Sequence, residues 1–166
     1  MTYFLVLLLA LLIGVVAGLR ALSAPAAVAW AGALGWIDLD GTWAAWVAHP
    51  ITVTVLTILA LGELVTDQLP STPSRRVPMQ FGSRLVTGAF SGAVLATGAV
   101  FNPTAWVVVG AIGAALIGAV IGTLGGAAAR QKLVATTGGR DLPVALVEDA
   151  IAILGGFAVA ALASVI

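Results

Sequence analysis

The sequence predicts an all-α, polytopic transmembrane helical bundle forming a single domain over residues 1–166. Three observations carry that prediction. The chain is 61% hydrophobic and only 8% charged, against roughly 25% charged in soluble domains, so it lacks the polar side chains to cover a water-facing surface. Its mean hydropathy is +1.15. The apolar residues fall in several runs of helical length separated by short polar loops, which suits about six spans rather than one anchor.

The first run, Tyr3 to Gly18, reads as a membrane helix. A secretory signal is the rival reading, since Ala21-Leu22-Ser23 loosely resembles a cleavage site, but no basic residue precedes the apolar run. Pro25 to Ile37 is the second span, opened by a proline at a helix-starting position. It is short for a crossing and is either tilted or re-entrant. Asp38-Leu39-Asp40-Gly41 is a polar turn, with Asp38 or Asp40 able to cap the next helix. Trp36, Trp43 and Trp46 flank it, as amphipathic rings do at headgroup level. His49-Pro50 restarts the chain as a wet boundary, and Ile51 to Leu69 is the third span. A loop broken by Pro70, Pro73 and Pro78 leads to the fourth span, Leu85 to Phe101. After the Asn102-Pro103 turn come the fifth span, Ala105 to Ala128, a polar loop, and the sixth, Pro143 to Ile166.

Charge orients this arrangement. With the N-terminus outside, Arg20, Arg75, Arg76, Arg84, Arg130, Lys132 and Arg140 all fall on cytoplasmic loops, while Asp38, Asp40, His49 and Asn102 fall opposite. This satisfies the positive-inside rule and predicts a multi-pass cell-membrane protein with both termini outside. Glycine and arginine recur at Gly18-Leu19-Arg20, Gly82-Ser83-Arg84 and Gly139-Arg140. That pattern leaves open an internal repeat, of hairpins or of the 3+3 inverted kind, or simply a shared habit of cytoplasmic helix ends.

Small residues define the packing surfaces. Gly110, Ala114, Gly118, Gly122 and Gly126 form one stripe in the fifth span, and Gly88, Gly92 and Ala96 another in the fourth. Helices in lipid associate through such close backbone approach. The two are expected to pack on each other or across a homo-oligomer interface, with a glycine-lined permeation path as the sharper reading. The helical spacing excludes a phosphate-binding glycine loop.

Net charge is zero, which gives no electrostatic footprint for nucleic acid. The absence of cysteine removes disulfides, thiolate metal sites and thiol catalysis, and a single histidine argues against a histidine-based metal site. No catalytic residue, metal set or cofactor is indicated. What stands out is the polar content of the helices. Glu63 and Asp67, four apart, share a helix face. Glu148, with Asp149 beside it, falls at a similar depth, and Arg20 and Arg84 come from neighbouring helix ends. The expectation is a carboxylate and arginine cluster near the cytoplasmic boundary, with Asp149 the spare because adjacent helix positions diverge by about 100°. Such a cluster is either a static register-fixing network or a site for a proton, a cation or an anionic headgroup. Arg75 and Arg76 are expected to set topology and touch anionic membrane lipid.

Gly18-Leu19-Arg20-Ala21, Leu61-Gly62-Glu63-Leu64 through Asp67-Gln68-Leu69-Pro70, and the glycine-rich C-terminal half together resemble domain-of-unknown-function family 4126, a group of small bacterial integral membrane proteins. The resemblance covers nearly the whole chain. It implies a bacterial inner-membrane location and supplies no activity. Glu63-x-x-x-Asp67 followed by Pro70-Ser71-Thr72-Pro73-Ser74-Arg75 also looks like the Glu-x-x-x-Glu and Pro-Gly-x-Ser-Arg-Ser pair of undecaprenyl-pyrophosphate phosphatases. Here the glycine is missing and the two elements are nearly contiguous, so no activity is carried over. The resulting expectation is binding or transport of a small ion or lipid-like solute, with Glu63, Asp67 and Glu148 coupling and Arg20 and Arg84 as partners. A structural or assembly subunit packing through its glycine stripes is the alternative, and an enzyme acting on lipid phosphate ranks last.

Overall fold

The computed structural model describes residues 2–68 and 75–165. Among them are six α-helices and no strand: α1 (Tyr3–Leu19), α2 (Ser23–Ala33), α3 (Pro50–Thr66), α4 (Pro78–Ala99), α5 (Ala105–Thr136) and α6 (Asp141–Val165). A 3-10 turn at Ala45–Ala48 precedes α3. The expected breaks at Pro70 and Pro73, and the Pro70 to Ser74 part of the phosphatase-like stretch, lie outside the described residues.

α5 and α6 are long and apolar enough to cross a membrane. Their most apolar stretches are only 33% and 44% buried within the chain, unlike the core helix of a soluble domain, and this suggests a membrane location. The other described helices do not meet the same standard of length and hydropathy. α1 and α3 are apolar but 17 residues long. The expectation of six spans thus resolves into a six-helix bundle with two helices of spanning length.

α1 lies at the centre, packed against α5, α4, α6 and α2. Its own glycines make this possible. A Cβ on Gly14 would strike the Ala115 backbone, and one on Gly18 would strike Ala119 and Gly122. From the other side, Gly118 faces the Leu11 carbonyl and Gly122 that of Val15. The α5 stripe therefore meets α1 of the same chain, and the pairing expected of the two stripes is only part of the packing. α4 adds its share at Gly92, where an added Cβ would stand 2.5 Å from the Ala115 side chain and 3.0 Å from the Ala111 carbonyl.

The second element is shorter than Pro25 to Ile37. α2 has 11 residues, about 16 Å of helix, and stops at Gly35, whose φ of +71° suits a residue without Cβ. Gly35 N–H donates to Gly32 O at 3.1 Å and Trp36 N–H to Ala31 O at 2.8 Å, the Schellman ending. The chain then continues without regular structure until Asp38 N–H reaches Gly98 O at 2.8 Å, near the end of α4. Ile37, Leu39, Ala44 and Val47 are buried there, and this irregular segment plugs the bundle. Neither Asp38 nor Asp40 takes up the capping role open to it at α3. Asp38 accepts from the Asp40 N–H in a local turn, and His49 Nδ1 accepts from Ile51 N–H at 3.3 Å as the cap.

α5 continues eight residues past Ala128, because Arg130, Gln131, Lys132 and Ala135 are all good helix formers, although the charges of Arg130 and Lys132 read as a loop. α4 likewise begins at Pro78, so Arg84 lies inside the helix rather than opening it.

Candidate functional site

Arg20 is where α1 ends. Its backbone leaves the helix at φ −138° and ψ 113°, and its side chain is wholly buried. Nε donates to Asp149 Oδ1 at 2.6 Å, Nη1 pairs with Asp67 Oδ2, and Nη2 lies 3.9 Å from Glu148 Oε2. The α1 terminus is thereby tied to the C-cap of α3 and to a point about two turns into α6.

The other charges assemble around this centre. Arg84, also buried, places Nη2 3.6 Å from Asp67 Oδ2 and 3.9 Å from Glu63 Oε1. Its Nη1 is held at 3.1 Å by both the Gln80 carbonyl and the Gln80 side chain, one turn back. Glu63 accepts the backbone N–H groups of Ala21 and Leu22, each at 2.7 Å. Glu148 receives Arg75 in a two-pronged pair, with Nη2 at 2.9 Å from Oε2, and also Arg130 Nη1 at 3.3 Å. Arg130 in turn grips Asp141 through Nε at 2.9 Å and Nη2 at 2.7 Å. Gln68 donates to Asp149 at 3.2 Å. Among the described residues, Arg20 Nη2, Arg84 Nε and Ser23 Oγ are buried without a hydrogen-bond partner.

All six residues expected to form the cluster, Arg20, Glu63, Asp67, Arg84, Glu148 and Asp149, meet in it. Asp149 is no spare. Glu148 and Asp149 diverge as neighbours on a helix must, and each finds arginine on its own side: Asp149 takes Arg20, and Glu148 takes Arg75 and Arg130. Arg75 departs from its expected place on membrane lipid, since its side chain is 9% exposed and folded onto Glu148. Arg76 and Arg140 are exposed, so the third member of the glycine-arginine pattern stays outside the cluster. Gly126 makes room for it: a Cβ there would stand 3.2 Å from both Arg75 Nη1 and Glu148 Oε1.

Sequence reasoning missed Gln68, Gln80, Arg130 and Asp141 as members. The signal for the last two was present, because two helices joined across Gly138-Gly139 bring residues on either side of the turn together. No group of three or more metal-ligating side chains is placed to hold a metal among the described residues. Between α5 and α6 a cavity of about 100 Å³ borders Glu148 and Arg130.

Electrostatics outside the helical cores follow the same pairing. The Arg130 hydrogen bonds hold the Asp141 carboxyl below its usual range, and Asp141 raises Arg130 in return. A buried, arginine-matched carboxylate set of this kind can hold helix ends in register or exchange a proton or cation for one of its arginine contacts. Comparison with protein-family models, curated proteins and solved structures finds no match.

Proposed function

We propose that the chain is a multi-pass cell-membrane protein that binds or moves a small ion or lipid-like solute at its charged end, with Glu148 as the exchangeable carboxylate. One observation carries the reading: Glu148 is the buried acid that borders the cavity between α5 and α6 while its oxygens are shared by Arg75 and Arg130. Protonation, or capture of a cation, would release both arginines at once. Glu63 is better suited to holding structure, because both its oxygens are taken by backbone donors.

Several features support the finer points of this reading. Large apolar side chains project outward from helices below spanning length, among them Ile51, Ile58 and Val65 of α3 at 62–69% exposure, and exposed apolar faces of this extent suit lipid. The path from Arg20 through α2 to Asp38, which bonds near the far end of α4, fits a second crossing completed by irregular backbone. The distribution of basic residues favours outside termini. Membership of family 4126 is proposed on the quoted motifs.

Proteoliposomes loaded with a pH-sensitive dye, under an inside-negative potential, test the proton-linked form. The wild type is expected to acidify the lumen, and Glu148→Gln to stop doing so while still folding, with a lower melting point because Arg75 and Arg130 lose their shared carboxylate. Flux equal to that of empty liposomes, or full flux in Glu148→Gln, overturns it. The alternative, a structural or assembly subunit, is favoured by the near-saturation of Glu63 and Asp149 and predicts no flux in any variant.

A further inference from the structure

Two guanidiniums at the charged end carry buried donors that bond to nothing. Arg20 and Arg84 are 0% and 1% exposed, and among the described residues Arg20 Nη2 and Arg84 Nε have no hydrogen-bond partner. Each guanidinium nevertheless faces carboxylate oxygen across a gap. Arg20 Nη2 stands 3.9 Å from Glu148 Oε2, and Arg84 Nη2 stands 3.6 Å from Asp67 Oδ2 and 3.9 Å from Glu63 Oε1. These separations exceed the reach of an N–H···O bond, yet one oxygen placed about 2.9 Å from both ends spans them. Neither guanidinium is free to close its gap. Arg20 is held through Nε on Asp149 and Nη1 on Asp67, and Arg84 through Nη1 on Gln80, one turn back in α4. Charged donors buried in this state are costly unless something accepts from them.

The chemistry of the two gaps selects what fits them, since each has N–H donors on one side and carboxylate oxygens on the other. A small anion only accepts, and it would enter among Glu63, Asp67, Glu148 and Asp149, four carboxylates around two guanidiniums. A metal ion needs lone pairs, which a guanidinium does not offer. Water accepts from nitrogen and donates to carboxylate at once, the role that buried waters fill in folded proteins. It also has an approach, because the Glu63, Asp67 and Glu148 side chains are 9–13% exposed in front of the buried guanidiniums. We infer that the charged end is a binding site for two ordered waters. One accepts from Arg20 Nη2 and donates to Glu148 Oε2. The other accepts from the Nε and Nη2 edge of Arg84 and donates to Glu63 Oε1 or Asp67 Oδ2. Glu148 is then tied to α1 through water, while its direct partners are Arg75 and Arg130. The inference goes beyond the reading of Glu148 as exchangeable and does not depend on it, since a static network needs the same waters.

Diffraction from the full chain crystallised in a lipid mesophase, at a resolution that shows ordered water, tests the site. The wild type is expected to show one peak within hydrogen-bond distance of both Arg20 Nη2 and Glu148 Oε2, and another beside Arg84 Nε. No peak at either position, or Arg20 Nη2 bonded directly to Glu148, overturns the inference. A bromide soak separates water from a small anion. Anomalous signal at either position overturns the water assignment in favour of an anion, and signal confined to other places supports water. Glu148→Leu removes the acceptor of the first water alone, so the first peak is expected to be lost and the second kept. Retention of the first peak in that variant means that Glu148 does not hold it and overturns the bridge. Should Glu148→Leu fail to fold, the wild-type density and the bromide soak still decide. Both peaks without proton flux refute the proton-linked function alone, and flux without either peak refutes this site alone.

Discussion

Glu63 Oε2 accepts the backbone N–H of Leu22 at 2.7 Å, 41 residues away in the chain, while Oε1 accepts that of Ala21 at the same distance. The chain leaves α1 and turns into α2 at this point, and a break between helices away from bulk water leaves backbone donors that something must satisfy. A carboxylate from α3 does so with both oxygens, in charge-assisted hydrogen bonds stronger than neutral ones. Glu63→Gln retains one acceptor and turns an amide N–H₂ toward the other donor. It should lower stability by about 1–3 kcal/mol, with Glu63→Ala lowered further. Thermal melting in detergent checks this, and an unchanged midpoint for Glu63→Ala would remove Glu63 from the scaffold.

Arg20 is the second test of the scaffold. It is wholly buried and pairs with Asp67 and Asp149 on two different helices. Arg20→Gln leaves both carboxylates without their main counter-charge, which typically costs about 3–5 kcal/mol. Arg20→Lys should not rescue it, because a single ammonium cannot reproduce donors aimed along separate directions. Asp149→Asn combined with Arg20→Gln should be less damaging than the two effects added, and strict additivity in that cycle would mean the pair is not coupled.

Much of this cluster was legible before any coordinates. Depth along each helix places Glu63, Glu148, Arg20 and Arg84 in one layer, because rise per residue is fixed. What depth cannot supply is azimuth. Whether Glu148 or Asp149 faces arginine depends on what stands on either side of α6, and α6 has arginine on both. Arg75 was explained by topology, since a juxtamembrane arginine and an ion-paired one have the same sequence signature. The α5 stripe similarly announces close packing without naming its partner. In sequence α1 is a plain apolar run, although its Gly14 and Gly18 provide the matching surface. The sequence overstates the extent of α2 because Leu34 to Ile37 continue the apolar run past Gly35, which adopts positive φ.

The glycines of α5 permit a controlled comparison on one helix. At Gly118 an added Cβ would strike the Leu11 carbonyl, and at Gly122 that of Val15, both rigid backbone within α1. Gly113 and Gly125 have nothing within 4 Å of such an atom. Gly118→Leu should therefore force α1 and α5 apart, at about 3 kcal/mol or more, above the usual cost of overpacking by flexible side chains. Gly125→Ala should be neutral or stabilising by up to about 1 kcal/mol, since alanine loses less backbone freedom in a helix. Equal melting of Gly118→Leu and Gly125→Leu would mean that α1 and α5 do not meet as described.

The Arg130–Asp141 pair closes the α5–α6 turn and gives a pH signature of known sign. Hydrogen bonds from Arg130 lower the Asp141 pKa in the folded chain. The folded state then binds fewer protons than the unfolded one in the acid range, so stability rises with pH there. The contribution is present above the ordinary aspartate pKa, near about 3.9, and is lost as pH falls through the lowered folded value. Because the Asp141 side chain is 53% exposed, solvent screening keeps the effect below about 1 kcal/mol. Melting of the wild type and Asp141→Asn should differ at pH 7 and converge toward pH 3, with the other carboxylates titrating alike in both and cancelling in the difference. A gap that widened toward acid would mean that Asp141 is held by something other than the Arg130 guanidinium.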